Sequence, residues 1–405
     1  MWNYGQLPNG WTAERIGDYA TVITDYVANG SFASLAQNVE YKSQPDYAVL
    51  IRLTDFNNNY EGNFVYIDEH AYEFLAKSKL TGGEIIISNV GANVGTVFKC
   101  PYLNTPMSLG PNAIMFKTKG NDDFIYYWFR SRNGQHSLKS IVTGSAQPKF
   151  NKTNFRDLYV PVPPRKVQDR IANYLGNLDK KIEVNTKINK NLFQQLFVLF
   201  NNIYSSNGCS VTELGSLCTF QEGYVNPPQN HPEFFDGAIK WLRAVDINES
   251  FILSTSRTLT QVGFHSAKKS AYLFSPNTIA ISKSGTIGRL GIISDFMCGN
   301  RAVINIAPNI SKYLPFIYSY LKNRQEEFPN LAVGSVQKNL YISLLEPLKV
   351  QMPEAEILNQ FCDIGNAILG AIKNNCFENL RLRNLRDTLL PRLMSGELDV
   401  SNLDL

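Results

Sequence analysis

Across residues 161–200 the seam positions of one helix face, mostly apolar, recur at alternating spacings of four and three: Ile171, Leu175, Leu178, Ile182, Asn185, Asn189, Leu192, Leu196 and Leu199, with Ile188 beside the seam. That register turns one side of a helix toward a partner helix. Pro163 and Pro164 close whatever precedes, because the ring fixes φ and removes a backbone donor, so a long helix is predicted to start near Arg165. A matching seam follows Pro353 as Ile357, Phe361, Ile364, Ile368, Ala371, Asn375, Glu378, Leu382, Leu385 and Leu389, and Asn375 stands 190 residues after Asn185. The two asparagines read as register-fixing groups of a helix pair, polar atoms satisfied only opposite the right partner; the alternative is a solvated stretch.

Shorter apolar alternations fill the rest of the chain, and they repeat in order. NGWTAERIGDYATV (9–22) matches NGCSVTELGSLCTF (207–220), with Gly10 against Gly208. IRLTDFN (51–57) matches LRAVDIN (242–248), and both are predicted to be short strands. EIIISNVGANVGTVF (84–98) faces NTIAISKSGTIGRLGI (277–292), and TGSAQPKF (143–150) faces VGSVQKNL (333–340). Each half is therefore expected to be a β-rich domain followed by a helix, with the halves in a pseudo-two-fold arrangement. The boundaries drawn from this pattern are domains at 1–160 and 204–352, a central helix at 161–203, and a distal helix and tail at 353–405.

Composition narrows the class only a little. With 405 residues and 44% hydrophobic content the chain has room for two or three cores. A net charge of +4 permits an anionic partner without requiring one. The six cysteines lie far apart with no C-x-x-C pair, which indicates neither a disulfide frame nor a zinc site and fits a cytoplasmic protein. The first residues lack a signal-peptide pattern, and no apolar run approaches the roughly 18 residues of a membrane span, so no membrane anchor is expected.

Candidate chemistry lies in the repeated loops. Ser88, Asn89 and Gly91 in the first half, and Ser282, Lys283 and Gly285 in the second, follow strands; such a glycine loop serves either as a tight turn or as a main-chain platform for DNA phosphates. Gln147 with Lys149 and Gln337 with Lys338 occupy matching places, an amide suited to adenine beside a cation suited to phosphate or guanine, although repetition itself points to a shared structural job. By the same reasoning Arg52 and Arg243 are assigned to Asp55 and Asp246 or to a phosphate. If the two halves read different bases, the readers belong where the halves differ, for instance Asn29, Ser31, Tyr41 and Lys42, or Tyr224, Asn226, Gln229 and His231. Asn226-Pro227-Pro228-Gln229 lacks the aromatic ring that an adenine-methyltransferase motif places fourth, and no glycine-rich cofactor turn precedes it. There is no nucleotide P-loop, the four histidines are isolated, and no catalytic or metal constellation is found.

Three segments together resemble the specificity subunit of type I restriction-modification systems: the opening Leu7-Pro8-x-Gly10-Trp11, the helix start PVPPRKVQDRIANYL, and the terminal LRDTLLPRLMSGELDV (385–400). Val167-Gln168 stands where the family has Glu-Gln, and QMPEAEILNQF, the second helix start, lacks the pair. The resemblance implies an α/β fold with two globular target-recognition domains separated by two long antiparallel coiled-coil helices. It also implies a subunit without catalysis or cofactor that reads double-stranded DNA, one half of an asymmetric bipartite site per domain. Its implied partners are two modification subunits, which bind S-adenosylmethionine and methylate adenine, and restriction subunits. The rivals are a self-contained adenine methyltransferase and a coiled-coil assembly protein that never touches DNA. A helix of about 36 residues gives a rod of roughly 54 Å, and half-site centres are expected about 10 base pairs apart.

Overall fold

The computed structural model describes residues 6–204, 210–248, 250–335 and 337–400, so Gly208 and Cys209 of the second opening segment lie outside the described residues. The chain divides into two compact units, residues 1–180 with 383–405, and residues 181–382.

In the first unit the strands are β1 (Thr12–Arg15), β2 (Ala20–Asp25), β3 (Ala48–Ile51), β4 (Val65–Ile67), β5 (Lys79–Leu80), β6 (Ile85–Ser88), β7 (Val97–Lys99), β8 (Met107–Leu109), β9 (Ala113–Thr118) and β10 (Tyr159–Val162). They form sheets ordered β2-β9-β6-β7 and β4-β3-β8-β5, and β1 pairs with β10. The isoleucine run of β6 shows why one sheet joins two cores. Ile85 and Ile87 pack with Phe116 and Trp128, whereas Ile86, pointing the other way by strand alternation, packs with Phe98 and Met107. Helix α1 (Glu69–Phe74) is capped by Asp68, and α2 (Asp122–Arg130) by Asn121. β10 then runs through Pro163-Pro164 into α3 (Arg165–Tyr204), the predicted long helix, which begins at the predicted residue.

Gln168 anchors that helix start. It is 3% exposed; its amide donates to Pro163 O (2.8 Å) and its oxygen accepts from Asn121 N (2.8 Å) and the Tyr19 hydroxyl (3.3 Å). The terminal segment joins the same unit. Leu393, Met394 and Val400 enter its core, Arg170 donates to Val400 O (3.1 Å), and a Cβ on Gly396 would lie 2.1 Å from Pro8 Cγ. Asp179 accepts from Tyr127 (2.8 Å) and Arg386 (2.6 Å), tying residue 386 to α2 and α3.

The second unit repeats the plan with β11 (Ser210–Glu213), β12 (Cys218–Glu222), β13 (Phe235–Leu242), β14 (Phe251–Ile252), β15 (Thr258–Leu259), β16 (Ile279–Ser282), β17 (Leu290–Ile293), β18 (Met297–Gly299), β19 (Val303–Pro308) and β20 (Lys349–Met352). The order β12-β19-β16-β17 copies β2-β9-β6-β7, with β14 added at the edge, and β11 pairs with β20 as β1 does with β10. A second sheet runs β15-β13-β18. Its helices include α4 (Gln261–His265), α5 (Leu314–Asn323) and α6 (Ala355–Met394).

Two local expectations are corrected. β3 and β13 stop at Ile51 and Leu242, so residues 53–57 form a helical turn and residues 244–246 a 3-10 turn instead of strands. Asp55 and Asp246 cause the break, accepting from the backbone N–H of Arg52 (2.8 Å) and Arg243 (2.9 Å) and nucleating a turn. On α6 the buried stripe is Leu358, Phe361, Cys362, Leu369, Ile372 and Asn379, whereas Ile364 is 51% exposed and Ile357, Ala371 and Leu385 also face solvent. This helix packs on the unit's own core as well as on α3, which rotates its buried face by about one residue from the apolar seam.

α3 and α6 run antiparallel. Asn185 donates to Asn379 Oδ1 (2.9 Å) and Glu378 Oε2 (2.7 Å), and four residues further along α3, four residues back along α6, Asn375 donates to Asn189 Oδ1 (2.8 Å).

Candidate nucleic-acid interface

In the first unit the loop after β6 and the G-S-x-Q loop, separated by about fifty residues of sequence, are joined by main-chain bonds. Gly91 N donates to Pro148 O (2.9 Å), Phe150 N to Asn89 O (3.0 Å), and Asn89 Nδ2 to Phe150 O (3.1 Å). Gly91 holds a φ of 102°, which only glycine adopts without strain, and open space surrounds the place its Cβ would take. Asn89 Oδ1 is buried without a partner among the described residues. Gln147 and Lys149 are exposed at the surface of this joined loop.

The second unit builds the same surface. Leu340 N donates to Lys283 O (2.9 Å), Val333 bridges Asn339, and Gly285 (φ 77°) again borders open space. Gln337 and Lys338 are exposed. The repeated glycine of G-S-x-Q has a steric reason: a Cβ on Gly144 would stand 2.9 Å from Gln147 O, and one on Gly334 would stand 2.3 Å from Gln337 O.

Other predicted residues turn inward. Ser88 and Ser282 are buried, and the Ser282 hydroxyl accepts from Arg289 N (2.9 Å) and donates to Thr286 O. The Lys283 side chain is only 12% exposed; its ammonium pairs with Glu222 (2.7 Å) and lies 4.8 Å from the centre of the Tyr341 ring. A parallel pair in the first unit joins Lys152 to Asp25 (2.8 Å), so in each unit an acid at or near the end of the first sheet strand ties down a lysine from the loop region. Arg52 forks onto Asp55 (3.1 and 2.8 Å), and Arg243 stands 3.8 Å from Asp246. Among the candidate readers, Asn29 is consumed by Tyr26 O, Ser78 and Lys77 N, Ser31 caps Ser34 N, and Lys42 pairs with Asp46 and Asp68. Gln229 accepts from Arg257 and His231 meets Glu233 at 2.8 Å, while Tyr41, Tyr224 and Asn226 stay exposed. Arg289, not among the residues predicted from the sequence, is an exposed cation in the glycine loop with no ion-pair partner among the described residues. Its signal was position, since it lies within the repeated loop where the first half has no charge.

One buried carboxylate stands just before the strand that leads to the first glycine loop. At the start of β6, burial raises the pKa of Glu84, but hydrogen bonds from the Thr81 hydroxyl and N–H and the nearby Lys117 ammonium outweigh it and hold the carboxyl at about 2. Burial likewise pushes the Cys218 thiol up to about 12. Among the described residues no group of three or more histidine, cysteine, aspartate or glutamate side chains is placed to hold a metal, and no helix is long and apolar enough to cross a membrane.

Two repeated α/β units with long antiparallel helices and paired loop surfaces define a duplicated recognition scaffold. A family model described as the type I restriction modification DNA specificity domain matches residues 8–194 and again 207–375, and the chain belongs to that family as a type I specificity subunit. It is similar to the MjaIX specificity subunit of Methanocaldococcus jannaschii, 25% identical over 305 residues, covering 69% of this chain and 70% of that one. It is also similar to the HindI specificity subunit of Haemophilus influenzae, 28% identical over 356 residues, covering 68% and 77%. The crystal structure of a type I restriction-modification S subunit from M. genitalium shares the fold with a TM-score of 0.59 at 15% identity, covering 96% of this chain and 97% of that one.

Proposed function

We propose that this specificity subunit reads duplex DNA through the paired loop surfaces, each unit taking one half of an asymmetric bipartite site. The observation that supports this reading is that two loops far apart in sequence are stitched together in both units and leave exposed Gln147, Lys149, Gln337 and Lys338 at their edge. Phosphate contact comes from Lys149, Lys338, Arg289 and the glycine main chains of Gly91 and Gly285. Asn89 lies beside them, while Ser88, Ser282 and Lys283 position the loops from behind. Domains 1–160 and 204–352 act as the recognition domains and the two long helices as the spacer between them, with Asn185 and Asn375 fixing the pair's register. In this reading the chain itself carries no catalysis and acts in the cytoplasm; two methyltransferase subunits, and restriction subunits in the full complex, do the chemistry on the DNA it selects. Modified-base sequencing of DNA from cells holding this subunit with its methyltransferase partner tests it: one gapped methylated sequence supports the reading, and methylation without a sequence pattern refutes it.

A further inference from the structure

α1 and α4 occupy the same place in the two units and share their internal construction. Asp68 accepts from Ala71 N as Thr260 accepts from Gly263 N, and the third helix residue is buried in each: Ala71 is fully covered, and a Cβ on Gly263 would stand 2.1 Å from Phe234 O. Their outer faces differ in chemistry. α1 exposes Glu69 and Glu73, the latter paired with Lys79 (2.7 Å), and the turn after it carries one exposed lysine, Lys77, at the place of Lys269. α4 exposes Gln261 and His265 and is followed by Lys268 and Lys269, and among the described residues none of these four side chains has a hydrogen-bond or ion-pair partner. Lys268 holds the left-handed φ of 51°, turning the chain immediately after the helix. A groove of about 450 Å³ runs between Phe234, Gln261, Val262, His265 and Ser266, and Val262 is 62% exposed on its wall.

We propose that α4 and its lysine turn are a DNA contact that the second unit has and the first lacks. Gln261 presents its amide to a base edge, the apolar wall at Val262 suits a thymine methyl, and Lys268 and Lys269 take backbone phosphates. Duplex DNA is favoured as occupant because the second segment sets two unpaired cations beside no carboxylate, where the first sets the single lysine of its turn, Lys77, beside two helix carboxylates. This rests on the reading of the chain as a DNA-recognition subunit.

The test uses the full chain assembled with its methyltransferase subunits, on a synthetic duplex carrying the site found by modified-base sequencing and on a scrambled duplex. Lys268→Ala/Lys269→Ala lowers the slope of log affinity against log salt by about two on both duplexes. Gln261→Ala costs roughly 5- to 150-fold in discrimination at one base pair of a single half-site. Unchanged slope and unchanged discrimination overturn the proposal while the parent complex still prefers its own site. Weaker assembly with the methyltransferase subunits at unchanged slope also overturns it, marking the surface as a protein contact. A parent complex that prefers neither duplex refutes the DNA-recognition reading itself.

Discussion

Asn185 and Asn375, matched positions of the repeat, do not face each other: Asn185 donates to Asn379 (2.9 Å) and Asn375 to Asn189 (2.8 Å), so the helix pair is set one turn away from pairing like with like. Asn185 is 1% exposed, and its amide also serves Glu378. Asn185→Ala leaves Asn379 and Glu378 short of a donor and should lower stability by about 1–3 kcal/mol in urea denaturation. Asn185→Leu with Asn379→Leu should recover most of that loss, because no buried amide is left unsatisfied and the half-exposed Glu378 keeps Lys181 (3.5 Å).

The loop cations divide into two kinds. Lys149→Ala and Lys338→Ala should each lower the salt slope of DNA binding by about one and leave base preference unchanged. Lys283→Ala should instead destabilise the second unit by roughly 1–3 kcal/mol, because it strips Glu222 of its partner. Salt titrations of binding and thermal melts of the same variants separate the two effects.

Acid should reach the first unit through Glu84. Its carboxyl sits at about 2 in the fold against 4.5 ordinarily, so its contribution is fully present above pH 4.5 and is lost as pH falls toward 2. That contribution is on the order of 3 kcal/mol. Glu84→Gln should be less stable at neutral pH and show a shallower loss of stability between pH 4.5 and 2, as read by denaturation at a series of pH values.

Gln168 has no counterpart in the second unit, where Leu358, buried, stands 190 residues later. Gln168→Leu should cost about 1–3 kcal/mol, since Asn121 N and Pro163 O lose their partner inside the fold, and the thermal midpoint should fall accordingly.

The long helices were legible because two prolines and a four-three spacing are local signals, and α3 starts at Arg165, directly after the prolines. The buried face of α6 was not, because spacing marks which positions are apolar and not how many neighbours compete for them; Cys362 and Leu369 are covered while Ile364 is bare. The glycine loops were visible through the repeat, yet their union with the G-S-x-Q loop depends on Asn89 meeting Phe150, a contact across 61 residues. Nothing near Lys283 announces Glu222, which lies 61 residues upstream and neutralises it.

In the proposed function each unit reads its own half of the target. Replacing residues 207–350 with the matching segment of a related specificity subunit, then sequencing modified bases in DNA from cells expressing the hybrid with its methyltransferase partner, tests it most directly. The predicted result is a methylated site in which one half is new and the other is that of the parent. A site in which both halves change, or one left unchanged by the swap, would contradict the claim.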